Sequence, residues 1–123
     1  MLAHAKADAA VEIRPTGLLL QRFSALTFNA HRIHYDAVYA REVERYEAPL
    51  VHGPLSLVFM LELLRMEVGP VRALEYRNLA PLFVDRPCRV CLRSLGSGRF
   101  ETWIETAEGG VAVRGTAEAG TQV

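Results

Sequence analysis

A chain of 123 residues, 50% of them hydrophobic, is the size of one domain with one core. Its 14 basic and 14 acidic residues cancel, which removes the electrostatic case for a nucleic acid or an anionic membrane as partner. No apolar run approaches the ~20 residues of a membrane span, and Met1 to Arg14 mixes Ala with His, Lys, Asp and Glu unlike a signal peptide, so a cytoplasmic chain is expected.

Residues 1–15 are Ala-rich, end at Pro15 and read as a loose N-terminal tail or short arm, leaving 16–123 as the domain. Leu18 to Ala25 is a short apolar run with polar residues interleaved and reads as a first strand. A polar stretch follows, S-A-L-T-F-N-A-H-R-I-H-Y-D from Ser24 to Asp36, expected as a loop. Asp36 is placed to cap a helix from Ala37 to about Tyr46. Pro49 to Val51 is a short extended piece.

The strongest helix signal comes next. Gly53 is expected at the N-cap and Pro54 at the first helical position. Leu55 to Leu64 is apolar nearly all round and stops near Gly69-Pro70. A helix of that kind must be buried on most sides, with Leu57, Phe59, Met60, Leu61 and Leu64 deepest. Four strand-like stretches follow: Val71 to Leu79, Cys88 to Leu95, Phe100 to Thr106 and Val111 to Glu118. Gly96-Ser97-Gly98 and Gly109-Gly110 mark hairpin turns. Cys88 and Cys91 have C-x-x-C spacing but lie in an alternating stretch. A separation of three then puts the thiols on opposite faces of a strand, against a redox or metal pair and for a reduced chain. The order predicts an α+β domain, one antiparallel sheet wrapped around one buried helix.

Chemistry concentrates between Ser24 and Asp36. His34 and His31 are imidazoles with an ordinary pKa of ~6.5, fit to take a proton near neutrality. Asn29 is an amide that donates and accepts at once. A histidine beside an amide suits the positioning and deprotonation of water.

This segment resembles the active-site pattern D-x-N-P-I-H-x-D of the MaoC-like hydratases and dehydratases. Ile33-His34-Tyr35-Asp36 matches I-H-x-D, while Asn29 falls on the pattern's Asp, His31 on its Asn and Arg32 on its Pro. The likeness is closer to a narrower branch, the type 2 hydroxyacyl-thioester dehydratases and mesaconyl-C4-CoA (3-methylfumaryl-CoA) hydratases, whose string S-A-L-T-F-N-x-H-R-I-H-Y-D carries Asn in place. Val51-His52-Gly53-Pro54-Leu55 resembles the start of their central helix. The resemblance implies a single hot-dog domain and a hydratase or dehydratase acting on acyl thioesters of coenzyme A or acyl carrier protein, with no further cofactor and no metal.

It implies His34 and Asn29 as the catalytic pair, with His34 as base. Gly53, His31 and His52 would contact substrate, Gly53 offering its N–H to the developing enolate. Asp36 is read as a cap. Hot-dog units of this kind pair across their sheets, so a homodimer, or a heterodimer with another hot-dog chain, is expected. Two rivals are a non-catalytic acyl-thioester-binding subunit, suggested by Asn29 in place of Asp, and a hot-dog acyl-CoA thioesterase. The latter would use an acid on the central helix, where Glu62 is the candidate.

Overall fold

The computed structural model describes residues 6–120. The elements are β1 (Ala9–Ile13), α1 (Gly17–Leu26), a 3-10 turn (Arg32–His34), α2 (Ala37–Glu42), α3 (Gly53–Glu67), β2 (Val71–Asn78), β3 (Cys88–Gly96), β4 (Arg99–Glu105) and β5 (Val111–Ala119). The strands form one antiparallel sheet in the order β1-β3-β4-β5-β2. Helix α3 packs against one face, which is the hot-dog arrangement expected. The β3–β4 hairpin turns through Gly96, Ser97 and Gly98, all at positive φ, a conformation that glycine adopts without strain.

Alternation builds the core. Cys88, Val90 and Leu92 of β3, Ile104 of β4 and Val113 of β5 face α3 and pack with Met60, Leu63 and Leu64. Burying each such side chain stabilises by roughly 1.5–3 kcal/mol. On the opposite face Cys91, Trp103 and Val111 form a second cluster, and Trp103 Nε1 donates to Glu105 Oε2 at 2.8 Å. Cys88 and Cys91 therefore sit on opposite faces, as their spacing requires. Burial pushes their thiols up, to about 11 for Cys88 and to about 12 for Cys91. Neither is a ready thiolate.

Four expectations are corrected. Leu18 to Ala25 is helix, not strand: Thr16 caps α1, its hydroxyl accepting from Leu19 N–H at 3.1 Å. The first strand lies upstream, where Ala9–Ile13 of the expected arm pairs with β3 along the sheet edge; residues 1–5 of that arm lie outside the described residues. Helix α2 ends at Glu42 rather than near Tyr46. In α3, His52 is the N-cap and Gly53 the first helical residue, one position earlier than expected.

The burial of α3 also differs. Its deepest residues are Leu55, Ser56, Met60, Leu63 and Leu64; Leu57, Phe59 and Leu61 are only half-buried. Val58 is 47% exposed and Met66 64%. A helical repeat of 3.6 residues turns the 56–60–63–64 stripe toward the sheet. The sheet of one chain curls round that stripe and leaves the side with Val58, Glu62 and Met66 open.

Candidate active site

Three short connections converge at the start of α3. Helix α1 ends in a Schellman motif: Asn29 N–H donates to Ser24 C=O at 2.8 Å and Phe28 N–H to Ala25 C=O at 3.3 Å. Phe28 takes the left-handed position, φ 54°, in place of the usual glycine. The chain then enters the 3-10 turn, capped by His31, whose Nδ1 accepts from Ile33 N–H at 3.3 Å. Asp36 caps α2, its Oδ1 accepting from Tyr39 N–H at 3.0 Å, and also pairs with Arg32 on the surface. Leu50 N–H donates to Ile33 C=O and Val51 N–H to Leu82 C=O, both at 2.8 Å. These bonds dock the turn carrying His34 against the residues leading into α3.

His34 is buried, and its Nδ1 lies 2.8 Å from Leu50 C=O. A carbonyl only accepts, so Nδ1 carries the proton and the neutral ring keeps a bare lone pair on Nε2. Burial, more than the charge of His31, holds the His34 pKa below its ordinary value, against the opposing effect of the Leu50 bond. His34 lines a cleft of about 380 Å³ together with Tyr46, Leu50, Gly53, Ser56, Asn78 and Leu82. The first hydrogen bond of α3 runs from Ser56 N–H to His52 C=O. The Gly53 and Leu55 N–H groups precede it, Pro54 has none, and the helix dipole adds partial positive charge there.

Of the residues expected in the site, His34 and Gly53 line the cleft together. His52 is 1% exposed and lies behind His34, with ring centroids 3.7 Å apart and planes 16° from parallel. Its Nε2 is 2.7 Å from Ser24 Oγ. His31 is exposed, its ring 6.1 Å from that of His34. Asn29 is half-buried and its Oδ1 accepts from His31 N–H at 3.1 Å. Neither His31 nor Asn29 is on the cleft wall. Glu62 is exposed and paired with Arg65 at 2.5 Å, away from the cleft. Among the described residues, no three His, Cys, Asp or Glu are grouped to hold a metal ion.

Residues 2–84 match the family described as hydroxyacyl-thioester dehydratase type 2. The chain belongs to that family. It is 44% identical over 107 residues to the mesaconyl-C(4)-CoA hydratase of Chloroflexus aurantiacus, covering 86% of this chain and 38% of that one. It is 40% identical over 96 residues to the mitochondrial hydroxyacyl-thioester dehydratase type 2 of Schizosaccharomyces pombe, covering 74% and 30%. The chain thus spans between 30% and 38% of the length of these two relatives. An (R)-hydratase from A. caviae superposes with a TM-score of 0.77 at 23% identity over 93% of this chain and 95% of that one, a likeness of fold.

Sequence reasoning missed two features of the site. Ser24 sits within the motif, but its partner His52 lies 28 residues on, a pairing that only the packing of α1 on α3 creates. Asn78 reaches the cleft through the register of β2, which no local pattern in the sequence announces.

Proposed function

We propose that the chain adds water to, or removes it from, a 2-enoyl or 3-hydroxyacyl thioester carried on coenzyme A or acyl carrier protein. The observation that carries this reading is His34: its proton is fixed on Nδ1 by Leu50 C=O, leaving Nε2 as a base in the cleft that begins at Gly53. In hydration Nε2 takes a proton from water as the oxygen bonds to C3. The C2–C3 π electrons move toward the thioester carbonyl, whose oxygen becomes an enolate. The N–H of Gly53, at the start of α3 on the cleft wall, would meet that charge. The enolate collapses as C2 takes a proton, and His34 is the group able to return it. Dehydration runs the same steps backwards.

Asn29 lies off the cleft wall with its Oδ1 engaged by His31 N–H, so holding the water or the substrate carbonyl would require its amide to turn toward the cleft; His31 and His52 would support the site. The acyl arm needs a second wall. Phe28 is 95% exposed and Leu26 78%, both within the motif, and a second hot-dog unit covering them would close the cleft into a dimer.

The test is mass spectrometry of a panel of acyl thioesters incubated with the protein. Gain or loss of one water supports the proposal. Release of free coenzyme A from saturated thioesters would favour a thioesterase, a reading weakened by the outward, Arg65-paired position of Glu62. Binding without turnover would favour a non-catalytic subunit, a reading to which the engagement of Asn29 Oδ1 by His31 lends weight.

A further inference from the structure

The chemistry above makes no direct use of His52, a fully buried imidazole that stands between α1 and the base. One face lies against His34, with centroids 3.7 Å apart and planes 16° from parallel. Phe23 meets the ring edge-on, centroids 4.9 Å apart. Ser24 Oγ holds Nε2 at 2.7 Å, and Nδ1 is buried with no partner. A bare lone pair is cheaper to leave unpaired there than an N–H, so Nε2–H donates to Ser24 Oγ. A ring serving only to fill space would be apolar and would leave no polar atom unpaired.

We infer that His52, oriented by Ser24, is the positioning residue of His34: a neutral aromatic platform that holds the base ring in place and stabilises the imidazolium it becomes. The catalytic part of this inference rests on the hydratase reading; the geometric part does not. A cation within ~6 Å of an aromatic centroid is attracted to the ring face. The charge that forms on His34 meets that condition at 3.7 Å. The attraction exists only while His34 is protonated, so it acts as the proton is taken from water and fades when it is returned. Two charged rings would repel instead, and burial keeps His52 neutral by lowering its pKa to about 4.

Of the side-chain groups facing the pair, His31 alone bears on its charge, lowering the His34 pKa by a smaller effect than burial. From α1 they are Phe23 and Ser24, which carry no charge. From the 3-10 turn it is His31, its ring 6.1 Å from His34. Tyr46 stands on the cleft wall, and Asn78 approaches from β2. Arg32 and Asp36 pair with each other on the surface. Among the described residues no carboxylate perturbs either imidazole.

The experiment titrates the His34 imidazole by NMR in the full chain and measures enoyl-thioester hydration, in wild type, His52→Leu, His52→Phe and Ser24→Ala. Leu fills the space without a π face; Phe fills it and stacks. The His34 pKa should fall by about half a unit or more in His52→Leu, with kcat down about threefold to tenfold and KM little changed. His52→Phe should restore both, and Ser24→Ala should lie between. If the Leu and Phe variants titrate alike and turn over alike, His52 is packing alone and the inference is overturned. If His52→Leu fails to fold, an unmoved His34 titration in Ser24→Ala overturns it instead. Absence of hydration in wild type would defeat the hydratase reading, and the titrations would still decide the role of His52.

Discussion

Asn78 lays its side-chain amide over Gly53, so close that a Cβ on Gly53 would stand 2.9 Å from Asn78 Nδ2. The obstacle is the end of a flexible side chain, not backbone. Gly53→Ala should therefore fold with nearly native stability while pushing the Asn78 amide aside and narrowing the approach to the helix N-terminus. Hydration should fall, with KM rising as the thioester is held farther from the Gly53 N–H. Melting curves and steady-state rates check this; an alanine variant with unchanged kinetics would remove Gly53 from the substrate site.

Asn29 offers the discriminating substitution. Its Oδ1 already accepts from His31 N–H, a bond that an aspartate oxygen can make equally well. Asn29→Asp should leave the turn intact and add a negative charge on the segment that carries His34. That charge raises the imidazole pKa and repels the enolate. If the site depends on a neutral amide, kcat should drop. Activity that survives or rises would show instead that the site runs with either residue.

Acid should act on rate and stability in separate ways. The base must be neutral, and the His34 pKa lies below its ordinary 6.5. Hydration should therefore rise with pH through a value below 6.5 and stay flat above it. For stability, both histidines are depressed in the fold, so the unfolded chain takes protons first. The stability they lend is complete above about 6.5. It is lost as pH falls toward about 4, the value for His52. Melting temperature should fall over that window, less steeply in His52→Phe, which removes one of the two imidazoles buried among the described residues.

A dimer in solution is the fourth expectation. Leu26 and Phe28 within the polar motif, and Val38 and Val43 just after it, are large apolar side chains left exposed. Sedimentation should give twice the chain mass at micromolar concentration, and Phe28→Ser should weaken association. A fully active monomer would contradict the half-built cleft.

Much of this was legible in the sequence, for identifiable reasons. Strand β3 alternates over Cys88 to Arg93, and α3 carries Pro54 near its start and Gly69-Pro70 past its end. Such signals survive tertiary packing. The Leu18 to Ala25 run was ambiguous because a short apolar stretch suits strand and helix equally. Thr16, three residues before Leu19, was the overlooked cue. Strand β1 is Ala-rich and half exposed, so its pairing with β3 supplies what its composition does not. His34 was legible as a candidate base from its motif, and the fold sets it on the cleft wall. The stack on His52 was not, because it joins residues 18 apart through the fold rather than the chain.

The most direct test is the rate of 2-enoyl thioester hydration by His34→Ala against wild type, followed as appearance of the 3-hydroxyacyl thioester. Loss of a positioned base should lower turnover by about 10² to 10⁴, with thioester affinity little changed, because the acyl arm is held elsewhere. Equal rates in the two proteins would contradict the account and leave a thioester-binding subunit as the better reading.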